Sequence, residues 1–97
     1  MCVGQVVFEW NNEKNAKNKK KHGVDFEEAI TIFFNMPLRV VFDPDHSEKE
    51  DRYIAIGISI KSRTLVVVHC ESEDGKLVRI ISARKATKNE AKILLGE

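Results

Sequence analysis

The sequence has few cysteines and prolines, and it has no long apolar run. Its two cysteines among 97 residues form neither a CxxC pair nor a disulfide framework, so we expect reduced thiols in a cytosolic chain. No stretch approaches the roughly 20 apolar residues of a membrane span. The first residues, MCVGQVVFEW, lack the basic start and apolar stretch of a signal peptide. We therefore predict a cytoplasmic protein without membrane contact.

Four widespread motifs of phosphate binding and hydrolysis are also absent. The sequence contains no GxxxxGK[ST], GxGxxG, HExxH or GxSxG. Its three histidines, His22, His46 and His69, are far apart. One metal hypothesis stays open, because Asp43, Asp45 and His46 offer hard oxygens and a nitrogen in a DxDH segment. A metal-dependent hydrolase of this kind would lose activity in a chelator.

The formal net charge of +1 hides a segregation of charge along the chain. Residues 1–23 carry five lysines against two glutamates, and residues 76–92 carry six basic residues against one acidic residue. Between them, residues 43–51 carry five acidic residues against one lysine. A near-neutral sum alone disfavours a nucleic-acid binder. Two basic ends around an acidic middle, however, allow different partners to be steered to different patches.

The N-terminal part predicts a strand and a surface helix within a single domain spanning 1–97. Residues 3–10 alternate loosely as in a strand. An asparagine then caps a helix that ends at about His22, and Gly23 supplies the left-handed stop. Ala16 is nearly the only apolar residue of this helix. We therefore expect it to lie on the surface and to present lysines.

A second helix is specified more strongly. Asp25 caps it, and Glu28 completes a capping box. Its apolar residues recur at i, i+3, i+4, i+7 and i+8 and give one face for a core: Phe26, Ala29, Ile30, Phe33 and Phe34. Asn35 and Pro37 end it.

Four strands and a closing helix follow. The predicted strands are 38–43, 52–60, 64–71 and 76–83, and Thr87 with Glu90 forms a capping box for the last helix. The order β-α-α-β-β-β-β-α predicts an α+β fold, with two N-terminal helices packed on a twisted antiparallel sheet.

A tight Asp74-Gly75 turn between the last two strands sets their register. It places Glu71 opposite Val78 and Leu65 opposite Arg84. One face of the sheet would then carry His69, Glu71, Ser82 and Arg84, and the other face would carry Cys70 and Arg79. A one-residue bulge would exchange the faces.

Lysine, arginine, histidine and glutamate without a metal motif suit metal-independent attack on RNA. The 2′-OH attacks its own phosphate, so the protein must orient the chain, move protons and stabilise negative charge. Arginine grips phosphate with a planar fork, and histidine or glutamate handles protons. His22, His69 and Glu71 all remain candidates for the base.

Five segments carry a family resemblance: FEW at 8–10, KHGVDFEEA at 21–29, RYIAIG at 52–57, RTLVVVHCE at 63–71 and VRIISARKAT at 78–87. From about residue 7 to 92 the chain resembles the BrnT family, the toxin half of a bacterial type II toxin–antitoxin pair. The resemblance implies a RelE-like fold and a ribonuclease that arrests growth. It also implies a BrnA-like ribbon-helix-helix antitoxin as partner, and operator DNA reached only through that antitoxin.

The resemblance carries candidate residues in two blocks. Its N-terminal block matches Trp10, Lys14, Lys21 and His22, and its sheet block matches Glu71, Arg79, Ser82 and Arg84. Two positions depart from the family. Asn11 stands where an aspartate is usual and cannot act as a base. Ser72 stands where an arginine is common. If that arginine contacts phosphate, this chain either cuts RNA more weakly or uses Arg79 or Arg63 instead.

The leading hypothesis is an endoribonuclease that needs no metal or other cofactor. In it, Arg84 and Arg79 hold the scissile phosphate and Glu71 or His22 moves protons. The RNA-binding candidates are Trp10, Lys14, Lys21 and Arg63, with Trp10 stacking on a base. The alternative is a binding module without catalysis, which acts only through antitoxin or nucleic acid.

Overall fold

Among the residues that the structure describes, six strands form one mixed sheet that carries helices on both faces. The computed structural model describes residues 2, 3, 6–46 and 51–96. The strands are β1 (Cys2–Val3), β2 (Val6–Glu9), β3 (Leu38–Phe42), β4 (Arg52–Ile58), β5 (Thr64–Glu71) and β6 (Leu77–Lys85). The helices are α1 (Asn12–His22), α2 (Phe26–Ala29) and α3 (Lys88–Leu94), and short 3-10 helices cover Ile30–Phe34 and Pro44–His46. In the described part of the chain, no helix has the length and apolar character needed to cross a membrane.

The sheet confirms the α+β class and adds one parallel pair. Its order is β1-β2-β6-β5-β4-β3, so β5 is central as predicted. β2 runs parallel to β6, with Glu9 opposite Arg79, whereas every other pair is antiparallel. Within the predicted first strand, β1 and β2 instead pair with each other, and Cys2 lies opposite Val7. Alternation in the sequence specifies a strand but not the direction of its neighbour, so the sheet is not wholly antiparallel.

Helix α1 begins and ends where its caps predict. The Asn11 side chain accepts a hydrogen bond from the Lys14 N–H at 3.1 Å, and Gly23 ends the helix with φ 71°. A buried amide, rather than an apolar stripe, anchors the helix to the sheet. Asn18 Nδ2 donates to the carbonyl oxygens of Val24 (2.9 Å) and Ala83 (2.8 Å), and Asn18 Oδ1 accepts from the Ala83 N–H (3.1 Å).

Replacing Gly23 with alanine should lower the free energy of unfolding by about 1 kcal/mol. A Cβ at this position meets no atom within 4 Å, so the whole cost comes from the left-handed backbone. Thermal and urea unfolding of the variant measure it. Gly23→Asn is the control, because asparagine tolerates this conformation and should cost less than alanine. Equal losses in both variants would contradict the explanation.

The second helix tightens after one turn, which changes the residues that it buries. Asp25 caps it as predicted, by accepting from the Glu27 N–H at 3.0 Å. The continuation from Ile30 is a 3-10 helix with three residues per turn. Phe26, Ala29 and Ile32 therefore face the core, and Phe34, which the helical spacing placed there, is half exposed.

The last hairpin contains the predicted turn and also a bulge. Glu71 lies opposite Val78 and His69 opposite Ile80, as predicted, but a register shift follows and Arg84 lies opposite Val66 rather than Leu65. Because β6 has one extra residue there, its side chains exchange faces. The prediction that Arg84 and Ser82 share a face with His69 and Glu71 was wrong.

The two faces of the sheet carry two apolar clusters. The larger lies under α1 and α2 and includes Phe26, Ile32, Leu65, Val67, Ile80 and Ala83. The smaller lies under α3 and includes Ile56, Val66 and Leu94. His69 and Glu71 follow Val67 on the first face, whereas Arg79 and Arg84 lie on the second with Val66.

Candidate functional site

An aromatic ring and two cations surround an open depression at the start of α1. Trp10, Lys14 and Arg79 line it together with Glu9 and Asn11, and its volume is about 350 Å³. The Trp10 ring is partly buried and packs edge-on against Phe26, with ring centroids 6.4 Å apart. Lys14 is exposed on the first turn of α1. The parallel pairing of β2 with β6 brings Arg79 here, 70 residues from Glu9.

Arg79 is held by its neighbour on β2 and still reaches solvent. Its Nε donates to Glu9 Oε1 at 2.8 Å, and about 45% of its side chain is exposed. Arg79 also borders a smaller depression of about 70 Å³, lined by Cys70, Glu71, Ser72 and Leu77. Arg79 thus borders both depressions, and its side chain lies on the face of the sheet opposite that of Glu71.

Glu71 contacts a buried histidine. His69 is 1% exposed, and its Nε2 lies 3.3 Å from Glu71 Oε2. Tyr53 stacks on the imidazole at 5.7 Å, and Phe33 meets it edge-on at 5.1 Å. Burial lowers the pKa of His69, against an opposing effect of the Glu71 carboxylate. A neutral imidazole that carries its hydrogen on Nε2 donates a hydrogen bond to the Glu71 carboxylate.

Above this pair lies an apolar groove of about 240 Å³. Its lining residues are Val6, Phe8, Phe33, Phe34, Val40, Gly75 and Val78, together with His69 and Glu71. Glu71 therefore borders the groove on one side and the small Arg79 depression on the other. With 30% of its side chain exposed, it is the accessible member of the pair.

Arg84 lies on the opposite face and is bound to α3. Its Nη1 and Nη2 donate to Glu90 Oε1 and Oε2, each at 2.7 Å. Glu90 also accepts from the Thr87 N–H at 2.9 Å, which completes the predicted capping box. These donors, Arg84 first, lower the pKa of Glu90 to about 2. The structure therefore does not bring Arg84 to Glu71.

Replacing Glu90 with glutamine should lower the free energy of unfolding at neutral pH, because it removes the ion pair with Arg84 and the capping carboxylate. The loss should be only about 1 kcal/mol, because the Arg84 and Glu90 side chains are both partly exposed. The pKa of Glu90 is depressed in the folded chain to about 2, against an ordinary 4.5. Its contribution is therefore complete above about pH 4.5 and is lost as the pH falls toward 2. Unfolding of both proteins across this range measures the difference. If the two proteins still differed by the same free energy of unfolding at pH 2, the assignment of the loss to the Glu90 carboxylate would be contradicted.

Arg63 is engaged in a different part of the molecule. Its Nε donates to Glu28 Oε2 at 2.9 Å, and its Nη2 donates to Glu28 Oε1 and to the Gly23 carbonyl oxygen, the latter at 3.1 Å. Ser59 Oγ donates to the same Glu28 carboxylate at 2.7 Å. The predicted capping box at Glu28 was wrong, because this carboxylate turns inward to Arg63.

Lys21 and His22 lie at the far end of α1 from Trp10. Lys21 is exposed and His22 is partly buried. Lys14 and Lys21 are seven residues apart, so they share a helix face. They are about 10 Å apart along the helix axis.

The DxDH metal hypothesis falls only partly on the residues that the structure describes and stays a prediction. That part contains no group of three or more histidine, cysteine, aspartate or glutamate side chains that could hold a metal ion. The side chain of His46 and residues 47–50 lie outside the described residues.

Two comparisons with known proteins agree. The family model described as "Ribonuclease toxin, BrnT, of type II toxin-antitoxin system" matches residues 10–90. The crystal structure of the Brucella abortus ribonuclease toxin BrnT superposes with a TM-score of 0.61 at 21% sequence identity. That match covers 86% of this chain and 99% of the other, and it shows a common fold. A search of curated proteins found no match.

Proposed function

Because this chain belongs to the BrnT family of ribonuclease toxins of type II toxin–antitoxin systems, we propose that it is an endoribonuclease that cuts RNA without a metal ion. We further propose that it acts in the cytoplasm, arrests growth there and is neutralised by a ribbon-helix-helix antitoxin. The observation that carries the proposal is the position of Arg79, which borders both the Trp10–Lys14 depression and the smaller depression that Glu71 also lines.

The arrangement supports 2′-OH attack on the adjacent phosphate. Glu71 is an accessible carboxylate and takes the proton of the 2′-OH. Arg79, on the adjacent strand and at the depression that Glu71 also lines, stabilises the negative charge that develops on the phosphate. The proton for the leaving 5′ oxygen comes from water, because the depression is open to solvent.

His69 acts through Glu71 as a positioning residue. Its Nε2 contacts one carboxylate oxygen, and two aromatic rings hold the imidazole in place. The other oxygen of Glu71 is left to face RNA. The histidine itself is too deeply buried to reach a substrate.

RNA would approach along α1. Trp10 offers a ring on which a base can stack, and Lys14 and Lys21 follow the phosphate backbone on one helix face. His22 lies at the end of this path, about 15 Å along the axis from the start of the helix, and we place it on the path rather than at the reacting phosphate. Arg84 and Arg63 are occupied by Glu90 and Glu28, so we assign both a structural role.

The test is cleavage of RNA by the purified chain in EDTA. We expect fragments with 2′,3′-cyclic phosphate and 5′-hydroxyl ends, and growth arrest that co-expression of the adjacent antitoxin relieves. Cleavage that requires an added divalent ion would favour the metal-dependent hydrolase instead. Binding without cleavage would favour the binding module, which the serine at position 72 also favours.

A further inference from the structure

The apolar groove above His69 and Glu71 has an aromatic wall that the proposed cleavage does not use. The wall consists of Phe8, Phe33 and Phe34. Phe33 and Phe34 each pack against Phe8, with ring centroids 5.5 and 5.7 Å apart, and Phe33 also meets the His69 ring edge-on. These contacts hold the rings in place, yet Phe34 is 50% exposed. A held and exposed ring is a surface on which a flat ligand can stack.

The size and polarity of the groove limit its occupant. Its volume of about 240 Å³ is below the ~300–1,000 Å³ of pockets that take drug-sized molecules, so it suits a single ring system. Of the described residues that line it, only His69 and Glu71 have polar side chains. His69 is 1% exposed, so the accessible polar group is the Glu71 carboxylate, which accepts hydrogen bonds and donates none. The groove therefore suits a flat ring that carries a hydrogen-bond donor.

Glu71 connects this groove to Arg79. It lines the groove and also the small depression that Arg79 borders. In the cleavage proposed above, Glu71 takes the proton of a 2′-OH and Arg79 faces the adjacent phosphate. The base of that nucleotide is joined to the sugar carbon next to the one that bears the 2′-OH, so it must lie close to Glu71. Because the phosphate goes to the cation, the groove is the recess that can take the base.

We propose that this groove binds the base of the nucleotide whose 2′-OH attacks, and that it selects adenine. The proposal rests on the ribonuclease activity proposed above. A purine stacks over more of the Phe34 ring than a pyrimidine does. Adenine is also the common RNA base that has an amino donor and no carbonyl oxygen. The carbonyl oxygens of guanine, cytosine and uracil would lose water in the groove and meet a carboxylate that cannot donate to them.

Chimeric oligonucleotides test the selection. Each carries one ribonucleotide, with adenine, guanine, cytosine or uracil, in an otherwise 2′-deoxy chain, so that 2′-OH attack can occur at one position only. In EDTA, kcat/KM for the adenine substrate should exceed that for each of the others by about tenfold or more. Equal values for the four substrates would overturn the base subsite and leave the ribonuclease standing. If neither these substrates nor an all-RNA chain were cleaved, the ribonuclease itself would be overturned, and the subsite with it.

Two neighbouring positions on β3 provide a blocking variant and its control. Val40 lines the groove and is 45% exposed, whereas Val41 is 56% exposed and lies on the other face of the strand. Val40→Trp should fill the groove and lower kcat/KM for the adenine substrate by about tenfold, to the level of the others. Val41→Trp adds the same side chain to the same strand and should keep the preference. A preference that survives Val40→Trp would overturn the proposal.

Variants at Phe34 separate stacking from general apolar contact. Phe34→Leu keeps an apolar side chain without a ring and should lower kcat/KM for the adenine substrate by about tenfold. Phe34→Tyr keeps the ring and should keep the preference for adenine. Equal preference in the two variants would overturn Phe34 as the stacking surface.

Nucleotide binding gives a measurement that does not depend on turnover. Adenosine 3′-monophosphate and uridine 3′-monophosphate carry the phosphate at the same position and differ only in the base. Calorimetry should give a Kd at least about tenfold lower for the adenosine nucleotide, and Val40→Trp should remove the difference. Equal affinities would overturn the proposal. If Val40→Trp left the base preference intact and abolished neutralisation by the co-expressed antitoxin, the groove would belong to the protein interface, which would also overturn it.

Discussion

Replacing Glu71 with glutamine should lower the rate of RNA cleavage by about 10²–10⁴-fold. The amide keeps the size of the side chain and a hydrogen-bonding oxygen, but it cannot take the proton of the 2′-OH. The decisive measurement is single-turnover cleavage of a short RNA in EDTA at saturating protein. RNA binding should change little, because Arg79, Lys14 and Trp10 are intact.

Glu73→Gln is the matched control. Glu73 is an exposed glutamate in the β5–β6 turn, two residues from Glu71. This variant should cleave at the rate of the unaltered chain, and both variants should unfold at the same temperature. A Glu71→Gln protein that cleaves within about threefold of the unaltered chain would remove Glu71 from the reaction.

Variants at His69 separate positioning from packing. Glutamine keeps a donor near the place of Nε2, whereas leucine fills the space without one. If His69 positions Glu71, His69→Leu should lower kcat by about tenfold at unchanged KM, and His69→Gln should recover much of the loss. Equal kcat values in two folded variants would show that His69 serves packing only.

The sequence predicts the helix ends well because caps are local. Asn11, Gly23 and the Thr87–Glu90 box each act within about one turn of helix, so their residues carry the information alone. Glu28 shows the limit of that reasoning. It satisfies the capping-box spacing, but a partner 35 residues away binds its carboxylate instead.

The candidate site depends on contacts that the sequence does not encode locally. The bulge in β6 moves Arg84 away from Glu71, and no residue type in the segment VRIISARK predicts that bulge. The parallel pairing of β2 with β6 brings Arg79 to Trp10 and Lys14. The candidate residues could therefore be named from the sequence, while their grouping required the register of the sheet.

Replacing Arg63 with alanine should lower the free energy of unfolding by about 3 kcal/mol at neutral pH, because it leaves the buried Glu28 carboxylate without its cation. Lys61→Ala, an exposed cation in the same turn, is the matched control and should cost less than about 0.5 kcal/mol.

The pH dependence of the stability loss in Arg63→Ala shows whether the loss comes from the ion pair with Glu28 or from side-chain packing. Arg63 lowers the pKa of Glu28 below its ordinary value, against the effect of burial. The contribution of the pair is thus complete above about pH 4.5 and is lost as the pH falls through the depressed pKa. The deficit of Arg63→Ala should therefore narrow in acid, and adding Glu28→Gln should recover part of it at neutral pH. A deficit that is the same at pH 7 and in acid would assign the loss to packing. If Arg63→Ala left the stability unchanged and weakened RNA binding, Arg63 would instead be assigned to RNA binding.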